Sequence, residues 1–102
     1  MVLNLGMLKD MKFRIGQTLV TNGVNDLIMD DKDFADFVGK SFVRHVNGDW
    51  GDLCEEDKEM NEDALANGER LFSKYNYNDD VSIYIITEWD RSYTTILFPE
   101  EY

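Results

Sequence analysis

The chain has 102 residues and a mass of 11.9 kDa, a length that suits one domain with a single hydrophobic core. Because 43% of the residues are apolar and only one is proline, the composition excludes an intrinsically disordered chain. The 21 acidic residues outnumber the 10 basic ones and give a formal net charge of −11, which disfavours direct binding to a nucleic-acid phosphate backbone.

Cysteine usage and hydropathy point to a reducing compartment. Cys54 is the only cysteine and has no partner for an internal disulfide, so we expect it to pack as a small apolar side chain. No apolar run approaches the roughly 20 residues of a membrane span. Residues 1–6 are too short and uncharged for a signal peptide. We therefore expect a cytoplasmic protein without a membrane segment.

The N-terminal half is predicted to hold one strand and two helices. Residues 12–21 are β-branched and loosely alternating, which favours a strand, and a short helix is predicted over 24–29. A longer helix starts with Asp31 or Asp33 as its N-cap and ends at Asn47-Gly48. One stripe at helical spacing faces the core: Phe34, Phe37, Val38, Ser41, Phe42 and His45.

A third helix is predicted over residues 55–66, ending at Asn67-Gly68. Its inward face combines Leu53, Asp57, Met60, Asn61, Ala64 and Leu65. A buried carboxylate or amide without partners costs about 1–3 kcal/mol or more. We therefore expect Asp57 and Asn61 either to border solvent or to meet specific hydrogen-bond donors.

The C-terminal third changes to a period of two. Residues 70–75, 81–88 and 93–98 read as a three-stranded antiparallel meander packed on the helices. The segment 83–86 is apolar on both faces and is predicted to be the central strand, with helices on one side and a second subunit as one candidate for the other. The fold class is α+β in one domain over 1–102, with 1–15 as a candidate variable extension.

Most of the negative charge lies in one stretch. Residues 1–48 are neutral, whereas residues 49–69 hold nine acidic side chains against Lys58 and carry a net charge of −8. This stretch is either a solvated face that keeps the protein soluble or a surface that binds a basic partner. The predicted partner-binding residues are Asp49, Asp52, Glu55, Glu56, Glu59, Glu62 and Asp63.

A catalytic interpretation is the alternative. His45, Asp57, Asn61 and Arg91 could form a cluster at one edge of the fold, with Asp49 or Asp57 orienting the imidazole for acid–base work. Against this, His45 ends an amphipathic helix, where it is expected to hydrogen-bond a carbonyl. Carboxylates beside His45 do not match a metal-ligand spacing, so neither a metal nor a cofactor is predicted.

Arg91 is expected to stabilise the fold, because it lies among acidic residues in a chain short of positive charge. A bidentate bond to Asp57 or Glu88 would satisfy a carboxylate in a partly buried network. The sequence contains no phosphate-binding glycine loop, nucleophile elbow or zincin helix. A non-enzymatic function is therefore favoured over an enzymatic one.

Several segments together resemble a known protein family. They are residues 45–53 (HVNGDWGDL), Asn61, residues 70–75 (RLFSKY) and the final block 85–102 (IITEWDRSYTTILFPEEY). Over about residues 16–102 the chain is similar to small acidic proteins of plasmids, phages and other mobile elements, for which no activity is settled. This resemblance implies a mobile-element context. Trp89 replaces the small residue that is usual there.

Three functions follow as hypotheses. The first is an inhibitor of a host defence protein, similar in size and charge to anti-CRISPR proteins, that binds the basic groove of a Cas9-type nuclease in competition with guide RNA or DNA. The second is a small-ligand-binding or hydrolytic protein that uses His45, Asp57, Asn61 and Arg91. The third is a homodimeric accessory factor of a mobile element.

Overall fold

The computed structural model describes residues 11–102, which adopt the predicted α+β fold. In chain order the elements are β1 (Gln17–Val20), α1 (Asn22–Asp30), α2 (Lys32–Val46), α3 (Glu55–Asn67), β2 (Leu71–Asn76), β3 (Ser82–Thr87), β4 (Tyr93–Leu97) and a 3-10 turn (Pro99–Glu101). Within residues 11–102, none of the helices combines the length and the apolar character that crossing a membrane requires.

The four strands form one mixed sheet in the order β1-β4-β3-β2. The predicted meander is confirmed: β2, β3 and β4 are antiparallel, with Ser73 opposite Ile85 and Ile85 opposite Ile96. β3 is internal, as the apolar character of both its faces predicts. β1 adds a fourth strand parallel to β4, with Leu19 opposite Thr95. Alternation within β1 predicts a strand but does not identify its neighbour.

The main core lies between one sheet face and helices α1 and α2. Because side chains alternate along a strand, every second residue of β2, β3 and β4 points toward these helices. The buried residues of this core are Val24, Phe34, Val38, Phe42, Val46, Tyr75, Ile83, Ile85 and Ile96. We call the opposite side of the sheet the second face.

Side-chain caps fix where the two core helices begin. Thr21 accepts a hydrogen bond from the Val24 amide at 3.3 Å and starts α1. The Asp31 carboxylate accepts from the amides of Asp33 and Phe34 at 3.0 and 3.1 Å, so Asp31 is the N-cap of α2. Asp31 is the single residue between α1 and α2, and the two helices pack against each other.

The outer edge of β2 is covered by the segment before α3. The amide of Asp52 donates to the Lys74 carbonyl at 2.7 Å, and the amide of Lys74 donates to the Trp50 carbonyl at 3.3 Å. The carboxylate of Asp52 accepts from the Asn76 amide at 2.8 Å. Gly51 sits between them in a parallel bridge with Lys74. An edge strand with these partners is blocked from pairing with another chain.

Asn61 continues this cover on α3. Its side-chain oxygen accepts from the Phe72 amide at 3.1 Å, and its side-chain nitrogen donates to the Phe72 carbonyl. The amide group thus replaces a neighbouring strand at one residue of β2. This contact supplies the partners that the sequence demands for a buried Asn61, which is 5% exposed, and it anchors α3 along the sheet edge.

A second, smaller apolar cluster joins α3 to the sheet. Trp50, Ala64 and Leu71 are buried in it, and Phe13 packs against them. The candidate extension over 1–15 lies partly outside the described residues, but Phe13 contacts this cluster and Ile15 contacts the main core. The last residues of that segment therefore belong to the folded domain.

Candidate partner-binding site

The N-terminal turn of helix α3 places acidic side chains where the helix dipole stabilises them. Glu55, Glu56 and Asp57 occupy its first turn, where carboxylates interact favourably with the helix dipole. The helix ends at Gly68, whose φ of +69° is the left-handed conformation that a glycine adopts without strain.

Cys54 precedes the first turn of α3 and provides no side-chain cap. Its side chain is exposed, so the prediction that Cys54 packs is wrong.

The outward face of α3 carries a continuous row of acidic side chains. Successive residues of an α-helix lie about 100° apart around its axis. The acidic residues that face away from the buried Asn61 and Ala64 span about a third of the circumference of α3. All of the acidic residues at these positions are exposed, and we call them the acidic ridge: Glu55, Glu56, Glu59, Glu62 and Asp63. Five of the 21 acidic residues of the chain thus lie exposed on one side of one helix.

The members of the acidic ridge differ in whether they form hydrogen bonds or ion pairs with other residues of the protein. Glu62 accepts a hydrogen bond from the Trp50 indole nitrogen at 2.9 Å, and Glu55 lies 3.6 Å from the Lys58 ammonium. Within residues 11–102, Glu56, Glu59 and Asp63 make no hydrogen bond or ion pair. These three carboxylates are therefore available to cations from outside.

The two other predicted partner-binding residues hold the loop before α3. Asp49 receives two hydrogen bonds from the Arg44 guanidinium, at 2.7 and 3.2 Å, and one from the Gly51 amide at 3.1 Å. The hydrogen bond from Arg44 is the main cause that lowers the pKa of Asp49. Asp52 is bonded to β2, as described above. Both carboxylates therefore stabilise local structure, and neither belongs to the acidic ridge.

His45 lies inside the protein at the centre of a hydrogen-bonded chain. Its Nδ1 is 2.6 Å from the Ser73 hydroxyl and its Nε2 is 2.9 Å from the Thr87 hydroxyl. Thr87 is 2.8 Å from Thr94, and all four side chains are buried. The expected bond from His45 to a carbonyl at the end of its helix is not formed, because strand hydroxyls lie closer to the ring.

The direction of this chain follows from its last member. The Thr94 hydroxyl donates at 2.8 Å to the carbonyl of Ile15, an atom that can only accept. The bond between Thr87 and Thr94 must then take its proton from Thr87, so the His45 Nε2–H donates to Thr87. His45 Nδ1 is left as the acceptor for Ser73. Each bond fits a neutral imidazole protonated at Nε2.

Burial keeps His45 in that neutral form. Loss of solvation, with a smaller contribution from the positive charge of Arg91, lowers the pKa of His45 from 6.5 to about 3. The ring also packs edge-to-face against Phe13 and Trp50, with centroid distances of 5.3 and 5.8 Å. His45 is therefore a neutral core residue at pH 7.

Arg91 supports the β3–β4 turn through main-chain carbonyls. Its Nη1 donates to the carbonyl of Glu69 at 2.6 Å and to the carbonyl of Glu88 at 3.0 Å. Its backbone is in the left-handed conformation, with a φ of +60°. The predicted bidentate bond from Arg91 to the carboxylate of Asp57 or Glu88 is thus wrong, although the stabilising role at the turn is retained.

A groove of about 540 Å³ lies between α3 and the second face at β2. Its lining residues are Leu53, Asp57, Met60, Asn61, Ala64, Glu69, Arg70, Phe72 and Tyr102. Tyr102 closes one side, with its ring 5.8 Å from that of Phe72 and 5.2 Å below the Arg70 guanidinium. Asp57 therefore borders solvent in this groove, one of the two outcomes that the sequence allows.

The four residues of the catalytic alternative are divided among three places. His45 is internal, Arg91 holds a turn, and Asp57 and Asn61 line the groove, where Asn61 is already bonded to β2. Neither His45 nor Arg91 lines the groove. Within residues 11–102, no group of three or more His, Cys, Asp or Glu side chains is arranged to hold a metal ion.

Sequence reasoning misses the hydroxyls that surround His45. Ser73 and Thr87 interrupt strands that otherwise place large apolar side chains toward α2. Ser73 lies on the same sheet face as Tyr75, and Thr87 lies on the same face as Ile85. A hydroxyl at such a position indicates that a buried polar group faces it. Tyr102 follows the last 3-10 turn, and the sequence alone carries no sign of its contact with Phe72.

The chain was also compared with known proteins. No protein-family model, no curated protein and no solved structure matches it.

Proposed function

We propose that this protein is a non-enzymatic inhibitor that presents its acidic ridge to the basic nucleic-acid-binding groove of a defence nuclease in the cytoplasm. The observation that carries the proposal is the set of exposed carboxylates at Glu56, Glu59 and Asp63, which share one helix face and have no partner within residues 11–102. A surface of this kind attracts arginine and lysine side chains that otherwise contact phosphates.

The fold supports a rigid presentation of these carboxylates. Asn61 and the 50–52 segment hold α3 against β2, and Glu62 is fixed by Trp50. Because the helix that carries the acidic groups is already formed, binding costs less backbone entropy than it would for a disordered acidic tail. The ridge therefore suits competition with guide RNA or DNA for one basic surface.

A Cas9-type nuclease is the first target to test. Its guide and target strands lie in a strongly positive channel that the protein recognises through the nucleic-acid backbone. The likeness to mobile-element proteins in residues 85–102 supplies the context, since such elements gain from blocking a nuclease that cuts them. This origin and this target are parts of the proposal.

The experiment compares two charge-reversal variants of equal size. The ridge variant carries Glu56→Lys, Glu59→Lys and Asp63→Lys, and the control carries Asp26→Lys, Asp30→Lys and Asp79→Lys at exposed positions away from α3. Binding to a guide-free Cas9-type nuclease and inhibition of DNA cleavage are measured at low and high salt.

We expect the ridge variant to lose affinity by about tenfold or more, and the control to stay within about threefold of the original chain. The affinity of the original chain should fall as salt rises. Equal loss in the two variants, or an affinity that does not change with salt, would mean that the ridge is not the binding surface.

The geometry gives the other two hypotheses less support. His45 is neutral and enclosed, so it has no access to a substrate. For a homodimer through the second face, the central side chains Ile86 and Leu97 are only 3% and 7% exposed. The exposed apolar side chains of that face, Leu19 at 39% and Tyr93 at 40%, lie toward its β1 edge and form no central patch.

A further inference from the structure

We propose that the groove beside α3 binds an arginine side chain of the basic protein that contacts the acidic ridge. This inference rests on the proposed function and adds to it a specific pocket and the kind of residue that fills it. The groove lies on the flank of α3 next to the ridge, and its lining combines apolar surface with negative charge.

The apolar lining of the groove suits the apolar stem of an arginine. Met60 and Tyr102 are 67% and 65% exposed, and the rings of Phe72 and Tyr102 are in edge-to-face contact. A long basic side chain buries its methylene groups on such surface while its charged end stays polar. The volume of about 540 Å³ is ample for one side chain and the backbone beside it.

The aromatic wall suits a guanidinium in particular. The Arg70 guanidinium already stacks over the Tyr102 ring at 5.2 Å, which shows that a planar cation fits against this tyrosine. Tyr102 as a whole is still 65% exposed, so it keeps surface that a second cation can contact. A second guanidinium stacks there better than an ammonium, which is compact and more strongly hydrated.

The charges of the groove favour a cation. The carboxylate of Asp57 lines it, is exposed and makes no hydrogen bond or ion pair within residues 11–102. Asn61 does not compensate this charge, because both ends of its amide bind Phe72. Arg70 faces the Glu88 carboxylate at 3.9 Å, so its charge is partly neutralised. Asp57 is therefore a group that a bound guanidinium would meet, with Glu69 as the second carboxylate of the lining.

Position along α3 links the groove to the ridge. Asp57 directly follows Glu56, and Met60 directly follows Glu59, so each pair spans the boundary between ridge and groove. A basic surface that covers the ridge also covers the groove mouth. The groove then selects among basic partners by the presence of an arginine at this point, beyond what net charge alone provides.

The test uses NMR of the isotope-labelled full chain with three capped pentapeptides, each a central residue between two pairs of glycines. The central residue is arginine, lysine or norleucine. We expect the arginine peptide to shift the signals of Asp57, Met60 and Tyr102 and to bind at least about threefold tighter than the lysine peptide. The norleucine peptide should cause small shifts only.

Asp57→Asn should weaken arginine-peptide binding at least about fivefold, whereas the matched Asp79→Asn should leave it unchanged. The NMR spectrum of each variant shows directly whether it is folded. Shifts confined to the acidic ridge, equal binding of arginine and lysine, tighter binding of norleucine, or no effect of Asp57→Asn would each overturn the arginine pocket. Because no nuclease is present, this result is separate from the failure or success of the proposed inhibition.

Discussion

At the residue scale, His45 makes the stability of the fold sensitive to acid. The pKa of His45 is about 3 in the folded chain and 6.5 without burial, so the unfolded chain takes up the proton first as the pH falls. The stability that depends on neutral His45 is complete above about pH 6.5 and is lost progressively toward pH 3. We expect the free energy of unfolding to be about 2 kcal/mol lower at pH 5 than at pH 7.

Urea unfolding followed by tryptophan fluorescence at both pH values measures this difference. His45→Gln is the control, because it removes the titrating group while keeping a polar side chain of similar reach. The variant should be less stable at pH 7 but nearly unchanged between pH 7 and pH 5. Asp49, whose pKa is lowered, titrates below this window. An equal pH dependence in both proteins would contradict the assignment to His45.

Asn61 gives a second prediction at the same scale. Replacing it with alanine removes both hydrogen bonds to Phe72 and leaves the edge of β2 uncovered at that residue. We expect Asn61→Ala to lower the free energy of unfolding by about 2–4 kcal/mol. Asn67→Ala, an exposed asparagine on the same helix, should change it by less than about 0.5 kcal/mol. Chemical denaturation of both variants decides the matter, and similar small losses would refute a structural role for Asn61.

How far single residues could be predicted depends on whether their partners are near in sequence. The cap at Asp31 and the need of Asn61 for partners follow from local rules. The partners of His45 do not, since Ser73 and Thr87 are 28 and 42 residues away and meet the ring only once the strand register is set. A buried imidazole and a catalytic one look alike until those hydroxyls are placed.

At the element scale, the 50–52 segment depends on one glycine. Gly51 has a φ of +80°, and a Cβ added there would collide with the Lys74 carbonyl and lie 2.7 Å from the Tyr75 ring. We expect Gly51→Ala to lower the free energy of unfolding by more than about 3 kcal/mol, because the segment must leave β2.

Gly68→Ala is the matched control for Gly51→Ala. Gly68 also has a positive φ, +69°, but nothing lies within 4 Å of its added Cβ. The control therefore carries the cost of the left-handed backbone alone, about 1–2 kcal/mol. Thermal or urea unfolding of the two variants separates the free-energy cost of the collision from the cost of the left-handed backbone. Equal losses would show that the contact between Gly51 and β2 contributes nothing.

Elements with a strong period were predictable, and their arrangement less so. The apolar stripe of α2 and the alternation in β2, β3 and β4 place these elements within one or two residues of their observed bounds. The parallel pairing of β1 with β4 and the position of α3 along the edge of β2 depend on contacts between distant segments. Hydrophobic periodicity indicates which face of an element is buried, but it does not identify the element that packs or pairs with it.

At the scale of the whole molecule, the fold separates two kinds of charge. Some carboxylates stabilise local structure by accepting hydrogen bonds from the protein, as those of Asp31, Asp49 and Asp52 do. The outward carboxylates of α3 receive few such bonds, so their mutual repulsion is a cost that the folded state carries. A partner of opposite charge relieves this cost, which is the physical link between the net charge of −11 and the proposed function.

The same repulsion predicts how the isolated protein responds to salt. The ion pairs within residues 11–102 are at least partly exposed, so screening them costs little, whereas screening the excess of negative charge stabilises the compact state. We expect the free energy of unfolding to rise by about 1 kcal/mol between low and moderate KCl, because each like-charged pair three or four residues apart on α3 costs a few tenths of a kcal/mol. A variant with Glu56→Gln, Glu59→Gln and Asp63→Asn should be more stable at low salt and gain less from KCl. If salt destabilised the original chain, or if both proteins gained equally, the ridge would not be the source of the repulsion.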